Sequence, residues 1–134
     1  MLRSRYSKAI RILPFLAVVA LPIGGCRRHQ PGPRQLLARF FDTAVQQDYA
    51  ATWQCYDSAY RSKIDQQEFV RRRREASRLQ AWRLLSLEDR GSQANALVEL
   101  RFGPSERLNR PTSVTKTVAE QLVRESDGWH IKVW

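Results

Sequence analysis

The sequence predicts an α+β fold in which N-terminal helices pack on a curved antiparallel sheet of about four strands, preceded by a signal peptide. Three observations predict it. Apolar side chains recur at helical period up to about Gln80 and at period two from about Ala81 onward. The opening residues follow neither pattern and carry the three-part layout of an export signal.

Met1 to Arg11 holds four cations and no acid, Ile12 to Ile23 is an uncharged apolar run interrupted only by prolines, and Gly24-Gly25-Cys26 follows. At a rise of 1.5 Å per residue the apolar run covers about 18 Å, short of the roughly 30 Å of hydrocarbon that a spanning helix must cross. Ile23-Gly24-Gly25-Cys26 resembles a bacterial lipobox, in which small residues precede a cysteine that is diacylated and becomes the new N-terminus. The resemblance implies lipidation of Cys26 and a membrane anchor of more than one acyl chain, which holds where a single chain does not. A simple signal or a buried Cys26 is the competing reading. By analogy with Gram-negative sorting, Arg27 in place of an aspartate allows passage to the outer membrane. The expected location is the cell envelope, on the outer membrane or the outer face of the inner membrane, facing the periplasm or exterior. The division read from the chain is a signal peptide over 1–25, a flexible tether over 26–33 and one domain over 34–134.

Within the domain, Leu36, Leu37, Phe40, Phe41, Ala44 and Val45 fall on one side of a helix. Asp48 is placed to cap a second, shorter helix carrying Tyr49, Trp53 and Tyr56. Ile64-Asp65-Gln66-Gln67-Glu68-Phe69 has a cap acceptor, a glutamate three residues on and flanking apolar residues, so a third helix starts there and ends between Ala76 and Gln80. Strands follow around Ala81 to Asp89, over Ala94 to Phe102, and from Val114 to Glu125; Asp127-Gly128 then turns the chain into a last strand with Trp129, Ile131 and Val133 on one face.

This order resembles the nuclear transport factor two-like superfamily, the cystatin-like cone fold. The pieces that carry the resemblance are Gln47-Asp48-Tyr49-Ala50-Ala51-Thr52-Trp53, Ile64-Asp65-Gln66-Gln67-Glu68-Phe69 and Asp127-Gly128-Trp129-His130-Ile131. It implies a cone with an apolar interior. In bacterial lipoproteins such domains usually bind or space rather than catalyse.

Enzymes of that fold place an aspartate or a histidine pair inside the cone as general base. Here Asp42 sits opposite the apolar arc of its helix, and His130 alternates with Trp129 and Ile131, so both are expected to face water. Glu120 shares parity with Val118 and Leu122 but also with Lys116 and Arg124; pattern alone leaves its facing open, with cross-strand charge pairing preferred over a buried acid. Cys55 has no neighbouring histidine or cysteine to lower its pKa and is read as packing. No glycine-rich phosphate loop is present, and no set of histidines, cysteines and carboxylates has metal spacing, so no cofactor or metal is expected.

The formal charge is +10, and removing the four cations of the leader leaves +6. The densest charge in the mature chain is Arg71, Arg72, Arg73 and Arg74, with Arg78 and Arg83 nearby. These four are the candidate contact with an anionic surface, whether lipid or envelope polymer; a solvated helix face is the competing reading. Nucleic acid is not an expected partner, since no base-stacking motif accompanies the charge. The expected function is a non-catalytic binding or spacer module anchored to a membrane through Cys26. The alternatives are a small isomerase-like or cyclase-like enzyme of the cone fold, and a subunit that pairs through its sheet with a protein partner or a second copy.

Overall fold

The computed structural model describes residues 30–133. The expected leader 1–25, the expected lipidation site Cys26 and His29 lie outside the described residues. Helix α1 (Pro33–Val45) opens on Gly32, whose N–H donates to the Gln35 side chain at 2.9 Å. Pro33, expected at the end of the tether, is instead the first helical residue, where its missing N–H costs nothing. Three short helices follow, α2 (Tyr49–Gln54), α3 (Ser58–Lys63) and α4 (Gln66–Glu75). Each begins on an aspartate whose carboxylate accepts a first-turn N–H: Asp48 from Ala51 at 3.1 Å, Asp57 from Tyr60 at 2.8 Å and Asp65 from Glu68 at 2.8 Å. The turn between α1 and α2 is made tight by Gln47 at φ +62°, the left-handed conformation common just past a helix end.

Three helices were expected and four are present among the described residues. The additional one, α3, buries no residue, so it leaves no apolar period to read. The α4 end is earlier than the expected window, at Glu75 with Ala76 as its cap.

Strands β1 (Leu79–Asp89), β2 (Gln93–Phe102), β3 (Val114–Glu125) and β4 (Gly128–Lys132) form one antiparallel sheet in the order β1-β2-β3-β4. Register slips between Leu79 and Ala81 and between Leu84 and Ser86 explain why β1 lacks clean alternation. The helices cover one sheet face. There Ala94, Ala96, Val98 and Leu100 of β2, with Leu122 and Ile131, meet Leu36, Leu37, Phe40, Phe41 and Ala44 of α1, all buried. Rings tie the layer together: Phe41 stacks on Trp82 at 5.2 Å, and Tyr56 meets Phe40 at 5.1 Å and Phe69 at 5.4 Å.

The far edge of β4 is not left open. The Ile131 N–H donates to the Cys55 carbonyl at 2.8 Å and the Asp57 N–H donates to the Ile131 carbonyl at 2.9 Å, so the link between α2 and α3 runs parallel to β4 like a short fifth strand. No helix among the described residues is long and apolar enough to cross a membrane.

Candidate functional site

The register of β3 decides what the cone contains. Glu120 pairs with Ala96, and residues paired directly across antiparallel strands share a face, so Glu120 points to the helices. The expectation of a solvated Glu120 is therefore corrected: it lines an interior cavity of about 120 Å³ with Phe40, Tyr56, Arg73, Leu79 and Phe102. No side-chain hydrogen bond to it is seen among the described residues, and burial pushes its carboxyl above the usual carboxylate range. Burial likewise pushes the Tyr56 phenol well up, against the opposing pull of the Arg73 guanidinium. Toward solvent the cavity adjoins a mouth of about 230 Å³ that shares Arg73 and Phe102 with it and adds Ser77, Leu108, Arg110 and Lys116. The Nε atoms of Arg73 and Arg110 are buried there without hydrogen-bond partners. Arg110 donates to Ser77 Oγ from its other end.

The four arginines of α4 do not act as one patch. Arg71 donates to both Glu68 oxygens and pairs with Glu75 at 3.0 Å, and Arg72 pairs with Glu68 at 2.7 Å. Those two guanidiniums hold the Glu68 carboxyl down to about 2. Arg73 turns inward, 5.8 Å from the centre of the Tyr49 ring. Arg74 alone of the four projects to solvent with no acidic partner among the described residues. A helix repeats every 3.6 residues, so four in a row spread over its whole circumference.

A larger concavity lies at the opposite end of the helical layer, where the start of α1, the junction of α2 and α3, and the turn between β3 and β4 converge. It encloses about 650 Å³ and is lined by Leu36, Arg39, Cys55, Arg61, Trp129 and His130, with Pro31 and Asp127 at its rim. His130, expected to face water, is 7% exposed. Alternation misleads here because the link between α2 and α3 packs on β4 and closes in its edge. His130 Nε2 lies 2.7 Å from Asp127 Oδ1, a contact that holds the Asp127 carboxyl below its ordinary value. The Cys55 thiol is 2% exposed, donates to the Ala51 carbonyl at 3.5 Å, and is pushed up by burial, which makes it a poor nucleophile. Asp42 faces outward as expected, and its carboxylate accepts the Trp82 indole N–H at 2.7 Å.

Folding also brings Glu125, Asp127 and His130 together, with one ligand atom from each within 4.8 Å of the others, a grouping that linear spacing did not reveal. Their hydrogen bonding fits a metal poorly. Glu125 Oε1 already accepts from the Ser58 N–H at 2.9 Å and the Ser58 hydroxyl at 3.1 Å. A metal on His130 Nε2 would move the ring proton to Nδ1, which is buried without an acceptor, whereas metal-bound histidines normally donate that second N–H.

Comparison with solved structures follows the same architecture. The chain is similar to the solution structure of a SEC-C motif-containing protein from Rhodopseudomonas palustris, with a TM-score of 0.62, 16% identity and 76% of each chain covered. A second SEC-C motif-containing protein, from Psychrobacter arcticus, matches with a TM-score of 0.62 and 8% identity over 78% of this chain and 60% of that one. A nuclear transport factor two-like protein from Burkholderia thailandensis matches with a TM-score of 0.51 and 18% identity over 76% of this chain and 88% of that one. The fold is the nuclear transport factor two-like cone. At these identities the likeness concerns the fold alone. No protein-family model matches the sequence, and no curated protein matches it by sequence similarity.

Proposed function

We propose that this chain is an exported envelope protein, anchored by lipid on Cys26, whose cone domain binds or spaces rather than catalyses. The observation that carries the non-catalytic part is the size of the cone interior. Its enclosed part, about 120 Å³, is below the roughly 300 Å³ at which small-molecule sites begin, and the adjoining space of about 230 Å³ is an open mouth. Its aromatic walls serve as core. The anchoring part is supported by the charged, apolar and small-residue segments that end at Cys26, and by the short stretch between that residue and the helix start at Pro33.

Feeding cells a labelled fatty acid tests the anchor: the protein takes up label, and Cys26→Ala abolishes it. Label that survives the substitution removes the lipoprotein reading.

One observation favours a second reading, a small enzyme of the cone fold. Glu120 is an acid inside an apolar wall, beside the Tyr56 phenol, with its carboxyl pushed up by burial. That is the environment of a general acid or base. A Glu120→Gln protein that folds normally but loses a measurable turnover would establish it.

A further inference from the structure

We propose that the concavity between α1, the junction of α2 and α3, and β4 is a binding site for the phosphate headgroup of an anionic lipid. It lies apart from the cone interior and from the arginines of α4. Arg39 and Arg61 reach it from two different helices, and neither forms a salt bridge among the described residues. The Arg61 guanidinium lies 5.8 Å from the centre of the neighbouring Trp53 ring, and its Nε is buried with no hydrogen-bond partner. A buried guanidinium N–H without an acceptor is a donor waiting for one. The acid at the rim, Asp127, is 63% exposed and hydrogen-bonded to His130, and the Arg61 charge acts on it only at longer range, without a salt bridge. Two guanidiniums converging on one space offer the planar, forked donors that suit a phosphate.

The rest of the wall is apolar and aromatic. Leu36 and Trp129 line it and Pro31 stands at its rim, giving glycerol and the first carbons of a lipid a place to lie. The volume of about 650 Å³ admits a headgroup, and not a whole lipid with its chains.

Position favours a lipid over a soluble phosphate. Pro31 is five residues beyond Cys26, and five extended residues reach at most about 18 Å. This part of the inference rests on the lipoprotein reading. Given the anchor, the concavity is held within reach of headgroups at high local concentration, so a modest intrinsic affinity suffices to occupy it. The domain would then be oriented on the membrane as well as tied to it.

The test uses the full chain in neutral detergent, with thermal unfolding followed as water-soluble dihexanoyl phosphatidylglycerol is added. Ligand that binds the folded state raises the melting temperature with concentration. The expected result is stabilisation by that lipid but not by dihexanoyl phosphatidylcholine, whose ammonium meets the two guanidiniums. Arg39→Gln and Arg61→Gln should each move half-saturation by about tenfold, while Arg71→Gln leaves it in place. Should Arg61→Gln fail to fold, Arg39→Gln, at an exposed position, carries the test. Equal stabilisation by both lipids, or indifference to Arg39→Gln, would overturn the site. Inorganic phosphate protecting at the same concentrations would overturn the lipid as its source. Fatty-acid labelling reads the anchor separately: a Cys26→Ala protein that still binds the headgroup has lost its tether and kept its site.

Discussion

Glu120 and His130 show how much a single side chain's meaning depends on its neighbours across the sheet. The parity of β3 places Val118, Glu120 and Leu122 together but also Lys116 and Arg124, and only the pairing of Glu120 with Ala96 puts its face inside. No window of one strand contains that information. His130 differs for the opposite reason: alternation gives its parity, but the link between α2 and α3 laid along β4 encloses it. The interior carboxyl has a consequence that can be measured. In the unfolded chain Glu120 ionises in the ordinary range near pH 4, whereas the folded protein holds its proton to higher pH. Stability is unaffected below the unfolded value and falls as pH rises above it, because unfolding then releases a proton. Glu120→Gln should therefore raise the melting temperature by a few degrees at pH 8 and by nothing at pH 3.5. A gain of equal size at both values would contradict the buried, desolvated carboxyl. Phe41, 2% exposed and stacked on Trp82, represents the ordinary core: Phe41→Ala should cost about 3–5 kcal/mol in denaturant unfolding.

Elements whose two faces differ could be read from the chain, and elements without such a contrast could not. Helix α1 and strand β2 each separate a buried face from an exposed one, and both were located from periodicity. Helix α3 buries nothing, and no periodic pattern in Ser58–Lys63 predicts it. Strand β1, slipped at two points, alternates poorly and its limits were read only approximately. The aspartate caps were a surer guide, because a cap needs one side chain at one offset rather than a repeated pattern. Asp65→Ala should cost about 1 kcal/mol through the unsatisfied first turn of α4. Asp57→Ala should cost more. Its carboxylate caps α3 at a residue only 6% exposed, on the segment whose N–H bonds to β4, so loosening the cap also loosens that tie. Asp57→Asn keeps a cap acceptor and should recover most of the loss in the same denaturant measurement; no recovery would mean the cap is not what Asp57 contributes.

At the scale of the molecule, the α+β order was legible because helix-period and strand-period residues occupy separate halves of the domain. The sites were not, because each gathers side chains from three or more elements. Arg39 and Arg61 are twenty-two positions apart and carry no shared motif, while the four adjacent arginines that drew notice are divided by helical geometry among ion pairs, solvent and the cone. A chain of residues 30–134 should fold without lipid and give a circular dichroism spectrum with both helix and sheet contributions; a spectrum lacking either would count against the packing described. The strip of chain laid against β4 has one more effect. A four-stranded sheet normally offers two flanks for strand addition, and repeated addition at both flanks is what lets edge-paired proteins grow into fibres. With the β4 flank occupied by residues 55–57, only β1 among the described strands has a neighbour on one side alone. Backbone pairing between described strands would then join two β1 flanks and terminate, the strip acting as a chain stopper that limits such assembly to pairs.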